Sequence, residues 1–451
     1  MDEPTPRTNT LGALVDERGA ALMLALMVLL TLTGLVLALL ATSGFEPQIS
    51  RNHSHTVRTR YVAEAGLEYA YAVLATNVDA WNGYLEGASC SQGAVLGAEG
   101  SSLPGLASVH GTFTVSVRND CDAGDAALTG VGLDAAAGAC DPTAAGGAAR
   151  DANCRVIVTS TGTLGGMTRA VTAVVSRTPL PPINAALAFP GVQADVSFGG
   201  SRLSIDGRDT AMADRPGMPT GRAAAVYGIS VNGTLPALET QVESALARGG
   251  AEIRGKDEAG SSANASGATT IRSDGTLTSR ALLDFVAAVI PKADVTISAS
   301  PGSPHAVADL GSACATDARS DSCWGTTSSP KIVYVGGAPA DAAGISIRIG
   351  GNSAGAGILI LENGAAEIGG RFRWNGVVIV TGKNVGIRYL GGGDQQIYGA
   401  TIVNELNARA AAGLTSNASG NGSLLYSREA LDLVQNALSR RLVTVYHWAD
   451  Q

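Results

Sequence analysis

The sequence predicts an α+β protein: a long amino-terminal helix that crosses a membrane and then packs on a small antiparallel sheet, followed by a Gly-rich, mostly-β carboxy-terminal domain. Three observations predict it. Gly19 to Phe45 is a 27-residue stretch with no ionisable side chain, an apolar rhythm of four residues continues beyond it, and the remainder consists of short β-like runs separated by glycine. The chain has 451 residues, room for about three folding units. Its 58 glycines and 4% aromatics favour tight turns and small-residue packing over aromatic-rich pockets. With 31 Lys+Arg against 39 Asp+Glu the formal charge is −8, so there is no basic field to hold nucleic-acid phosphates.

As a helix the apolar stretch is about 40 Å long at 1.5 Å per residue, enough to span a bilayer. The apolar region of a cleavable secretory signal is only about 7–15 residues, so a retained membrane helix is expected. Loop charge does not orient it, because Arg7 and Arg18 precede it while Arg51, Arg58 and Arg60 follow. Cysteine usage does. Cys90, Cys121, Cys140, Cys154, Cys314 and Cys323 all follow the helix and none forms a CxxC pair, which points to disulfides in an oxidising compartment rather than to a metal site. Cys314 and Cys323 would close a ten-residue loop, worth about 2.7 kcal/mol in the chain-entropy model. The other four leave three connectivities open.

Beyond the span, Ile49, His53, Val57, Tyr61, Ala65 and Tyr69 recur every fourth residue. One helix, bent near Pro47 and reaching Ala75, is expected, since proline flanked by helix formers kinks a helix rather than ending it. Its outer half must lie on a domain and its inner half in lipid or among other helices.

Two stretches, ERGAALMLALMVLLTLTGLVLALLATSGF from Glu17 and TRYVAEAGLEYAYAVL from Thr59, resemble the amino-terminal region of PilX-type minor pilins of the type IV pilus. They are less closely similar to the K-type pseudopilin of type II secretion. The resemblance covers residues 17–75, and AEAGLE at Ala63 to Glu68 is its most characteristic word. It implies a leader over 1–19, removed by a prepilin peptidase between Gly19 and Ala20, and a transmembrane and amphipathic helix over 20–75. Other implied partners are minor and major pilins and the inner-membrane pilus assembly machinery. The implied location is the inner membrane, single-pass, with the body periplasmic or extracellular. The leader carries Asp2, Glu3, Asp16 and Glu17, and Leu24 stands at the fifth mature position where major pilins have glutamate. A buried carboxylate there would neutralise a neighbour's terminal ammonium in a filament core. A subunit with leucine needs no partner above it, which fits a place at the filament tip.

Residues 76–179 carry strand-like runs at His110–Val117, Arg155–Ser160 and Thr168–Val175 around an Ala/Gly/Asp-rich insert. They read as a head in which the helix supplies one wall. Thr178-Pro179-Leu180-Pro181-Pro182 marks a stiff linker. Over 183–427, Gly357, Gly376 and Gly399 each precede an apolar run, 19 and then 23 residues apart, with AEIGGRFRW and VGIRYL between them. Spacing near 20 predicts stacked coils, a β-solenoid, with a β-sandwich as the alternative. Val192–Phe198, Leu203–Ile205, Tyr227–Val231, Lys331–Val335 and Ile345–Ile349 are further rung candidates, Ala237–Leu246 and Leu282–Val289 read as helices, and 255–268 as a loop. In the last segment, 428–451, Arg428–Ala437 reads as a helix capping the last coil, followed by a tail.

Candidate chemistry is weaker. Gly351-Asn352-Ser353-Ala354-Gly355 matches GxSxG, with Asp394 and His447 following in hydrolase order, but the next element is an apolar strand-like run where a nucleophile elbow needs a helix. Asp195, Asp206, Asp209 and Asp214 read as turn carboxylates before they read as Ca²⁺ ligands or polysaccharide-cleaving acids. His53 and His55, two apart on a helix, cannot face one metal. No cofactor motif is present. The expected function is a non-enzymatic structural subunit of pilus assembly whose β domain serves as an adhesive or interaction module. The alternatives are a membrane-anchored β-helix hydrolase and a K-type pseudopilin.

Overall fold

The computed structural model describes residues 13–43, 46–76, 81–97, 111–130, 132–138, 140–141, 144–194, 196–199, 203–248, 251–257, 270–338, 344–390, 393–407, 416–419 and 421–450. Where the sequence predicts one bent helix there are two, α1 (Ala13–Ser43) and α2 (Glu46–Thr76). Residues 44 and 45 lie outside the described set. Pro47 sits in the first turn of α2, where its missing N–H costs the helix no bond.

The head is a five-stranded antiparallel sheet, in spatial order Ala94–Val95, Gly111–Asn119, Arg155–Leu164, Met167–Arg177 and Val443–Asp450. The second half of α2 lies across its three middle strands, and Val62, Ala70, Leu74, Phe113, Val115, Val158, Val175 and Val443 share one core. The last strand corrects the sequence reading, which ends the chain in a helix and a tail. Helix Arg428–Ala437 is present, but Val443–Asp450 returns to pair with Met167–Arg177, and Val443 is buried with the head. The body is thus inserted between two adjacent strands of the head sheet.

Within the body, successive strands from Val295 to Tyr426 alternate between two parallel sheets. One takes Val295–Ser298, Lys331–Gly336, Asn352–Glu362, Arg371–Gly382, Asp394–Glu405 and Asn421–Tyr426. The other takes His305–Ala308, Ile345–Gly350, Ala365–Ile368, Gly386–Tyr389 and Ser416–Ser419. Earlier strands stack onto the last of these turns: Ala185–Phe189 pairs with Asp394–Glu405, Ser204–Asp206 with Asn421–Tyr426, and Val196–Gly199 with Ser416–Ser419. The chain therefore enters the body beside its final turn and winds back toward its own entry point.

Gly357, Gly376 and Gly399 are register partners, so the 19- and 23-residue spacing is the repeat of the winding. They lie inside long strands rather than at their starts, at φ of +125°, +138° and +130°. Only glycine takes such angles without strain. The corners after the long strands use Asn363 and Asn384 in the left-handed region. Helix Arg428–Ala437 lies across the three long strands instead of capping the last turn. Helix Ala237–Arg248 touches Ile271–Asp274 and Val196–Gly199, which end their strand orders, and so covers that end of the stack. Most of the loop expected at 255–268 falls outside the described residues.

Candidate functional site

The feature that sets this molecule apart is the amino-terminal rod. Gly19–Ala41 of α1 has a mean hydropathy of 2.7, and among the described residues it is the one helix long and apolar enough to cross a membrane. Leu22, Met23, Leu24, Leu26, Met27, Leu29, Leu30, Leu35, Leu37 and Leu40 are all exposed, on every side of the helix. Transfer of each such side chain from water contributes about 1.5–3 kcal/mol, so the span is suited to an apolar environment such as lipid or other helices. Between Gly19 and Ala41 the only side-chain polar groups are the hydroxyls of Thr31 and Thr33. They donate back to the carbonyls of Val28 (2.9 Å) and Leu29 (2.6 Å), which removes the cost of placing them in hydrocarbon. Leu24 is 64% exposed and offers only a hydrocarbon surface. Gly19 and Ala20 lie within α1, and a Cβ on Gly19 would meet nothing within 4 Å.

The AEAGLE word is a packing device. A Cβ on Gly66 would fall 2.1 Å from Ser160 Oγ and 2.9 Å from Phe113 Cδ2. Ala63, one turn earlier, is fully buried, and a Cβ on the facing Gly162 would lie 2.5 Å from its main-chain nitrogen. Small residues on both partners let helix and sheet approach this closely. Beside that contact, α2 and the sheet leave a groove of about 490 Å³ floored by Val158, Val175 and Val445, with Glu64 and Glu68 on its helical wall. Tyr71 ties the groove's far side to α2, its hydroxyl donating to the carbonyls of Arg440 (2.5 Å) and Val443 (3.3 Å). Burial, and then the Glu68 charge, push the Tyr71 hydroxyl above its ordinary value. Arg60 pairs with Glu64 at 2.9 Å and lies over the Trp448 ring at 5.6 Å.

The other candidates are placed in structural roles. Ser353 is buried near the start of a strand, donating to Gly350 O (2.7 Å) and accepting from Leu310 N (3.1 Å). Asp394 is exposed at a strand start two turns further on, and His447 belongs to the head sheet opposite Val174. The GxSxG match therefore lies outside any strand-to-helix elbow. Asp206 chelates Arg208 (2.9 and 2.6 Å). Asp209 accepts from Arg428 N and Ala223 N, and Asp214 accepts from Ala211 N and Thr220 N, which holds it below the usual carboxylate range. Asp195 lies outside the described residues. His53 is exposed and His55 half-buried on α2. No group of three or more His, Cys, Asp or Glu among the described residues could hold a metal ion.

Disulfides join Cys90 to Cys121, Cys140 to Cys154 and Cys314 to Cys323. Sequence reasoning missed a second cluster that the first two bracket. Asp120, Asp134 and Asp151 are buried at the end of the head sheet beside Arg177, whose guanidinium lies 4.9 Å over the Trp81 ring. Three aspartates in an Ala/Gly-rich stretch look like turn residues in one dimension, and nothing in their spacing signals burial.

No protein-family model matches the chain, and no curated protein matches it. Among solved structures, the competence-associated pilin ComZ from Thermus thermophilus is similar over 88% of this chain and 97% of that one, at 11% identity and a TM-score of 0.25. A superposition at that score carries no weight for fold or function.

Proposed function

We propose that this chain is a minor-pilin-like structural subunit of type IV pilus assembly. The observation that carries the reading is the pairing of the Gly19–Ala41 span of α1, apolar and exposed on every side, with α2, whose second half is a wall of the head. Such a rod suits a subunit that waits in a bilayer and then moves into a bundle of sister helices, because both environments accept the same hydrocarbon surface. A prepilin peptidase trims it between Gly19 and Ala20, in line with the resemblance of residues 17–75. Its partners are other minor and major pilins and the inner-membrane assembly machinery.

Leu24 supports a place at the filament tip, since it leaves no carboxylate for a neighbour's ammonium. The body is a β-solenoid serving as an adhesive or interaction module. That reading is supported by parallel pairing throughout, by strands alternating between two sheets, and by the in-register glycines. Head and body face the periplasm or the exterior, where the two disulfides of the head and the one of the body are stable, and the subunit carries no catalytic role.

The test is to sequence the amino terminus of the protein recovered from membranes and from sheared surface fibres. A mature chain starting at Ala20 in both fractions supports the proposal. A chain that starts at Met1 and never accompanies the fibres overturns it.

A further inference from the structure

Asp120, Asp134 and Asp151 are 0%, 2% and 0% exposed. Asp120 directly follows strand Gly111–Asn119, Asp134 and Asp151 come from the connection to the next strand, and Cys90–Cys121 and Cys140–Cys154 tie that connection down at Cys121 and Cys154. Asp120 accepts two bonds from Asn153 Nδ2 (3.1 and 2.9 Å). Asp134 Oδ2 accepts from Asn119 Nδ2 and Ala152 N, both at 2.8 Å, while its buried Oδ1 has no hydrogen-bond partner among the described residues. Asp151 accepts from Arg155 N (3.1 Å) and pairs with Arg177 at 2.9 Å. The nearby guanidiniums of Arg118 and Arg150 are taken by Asp125 (2.6 Å) and Asp141 (3.1 Å). Three carboxylates thus share a buried site where Arg177 is paired with Asp151, and like charges in low dielectric favour keeping a proton.

We propose that segments 120–130, 132–138 and 144–153 form a proton-dependent latch, closed while the cluster of Asp120, Asp134 and Asp151 holds a proton and loosened when that proton leaves. Burial, and the charges of Asp134 and Asp151, raise Asp120 from 3.8 to about 6 against the opposing Asn153 bonds, and Asp151 is raised despite Arg177. Because the folded value lies above the unfolded one, the latch is tightest below pH 3.8, weakens as pH rises, and has lost this contribution above about pH 6. The two disulfides keep the loosening local.

Amide hydrogen exchange on the full chain in detergent micelles, expressed as protection factors, tests this. For residues 120–130, 132–138 and 144–153 they should fall by up to about 100-fold between pH 4 and 7, with body residues 377–380 unchanged. Asp120→Asn should reduce that fall to threefold or less. Should that variant not fold, Asp134→Asn should instead shift the fall to lower pH. Flat protection in the wild type, or a fall shared equally by residues 377–380, overturns the latch. Neither outcome bears on whether the chain joins a pilus.

Discussion

Gly376 stands directly over Gly357, its register partner, so closely that a Cβ on Gly376 would lie 2.1 Å from the Gly357 carbonyl oxygen and 2.8 Å from Val434 Cγ2. The same approach recurs one turn on, where a Cβ on Gly399 would lie 2.0 Å from Gly376 O. A substituent must push two strands apart and also accept φ of +138°. Gly376→Ala should destabilise the body by about 3 kcal/mol or more. Gly350→Ala, where a Cβ meets nothing within 4 Å, should change stability by about 0.5 kcal/mol or less. Calorimetric melting of the two variants side by side checks this.

Gly19 and Gly66 should separate processing from folding. Gly66→Leu drives a side chain into Ser160 and Phe113, and should cost about 2–4 kcal/mol through loss of the helix-sheet contact, read in near-ultraviolet dichroism and melting. Gly19→Leu meets open space and should leave melting unchanged while the chain stays at full length by intact mass. Normal trimming of that variant would remove the prepilin reading.

Tyr71→Phe removes the hydroxyl bonds to Arg440 O and Val443 O and should cost about 1 kcal/mol. Ending the chain after Leu442 has a larger effect, because it uncovers Met167–Arg177 as an edge and takes Val443 from the head core. That truncation should abolish the head's cooperative melting transition while leaving the body's intact.

Ser353→Ala leaves the buried Leu310 N–H without its acceptor and should lower stability by about 1–3 kcal/mol. Assembly into fibres should persist. An ester- or glycoside-hydrolysing activity in the wild type that vanished in this variant would restore the enzyme alternative.

What the sequence made legible was local. Glycines at 357, 376 and 399 announced the repeat because each turn of the body must solve the same close approach with the same residue. The apolar span and the α2 rhythm were likewise visible within short windows. The final strand was not: Thr444 pairs with Ser176, and the composition of VTVYHWAD cannot name a partner that far back in the chain. The four-residue strands Ala365–Ile368 and Gly386–Tyr389 are too short to show a period of two. Of the candidate site, the rod was readable from its apolarity. The buried aspartates were not, because their surroundings are assembled from distant parts of the chain, with Arg177 beside Asp151 and disulfides at Cys121 and Cys154.

Because the closing strand of the head follows the whole body in the chain, the head cannot be completed until the body has been made, although its first strand is made early. Until Val443–Asp450 arrives, Met167–Arg177 has an open flank, and every chain cut short before that strand carries the defect in the sheet that packs on α2. A finished head therefore marks a chain that has been made through Val443–Asp450, beyond every strand of the body.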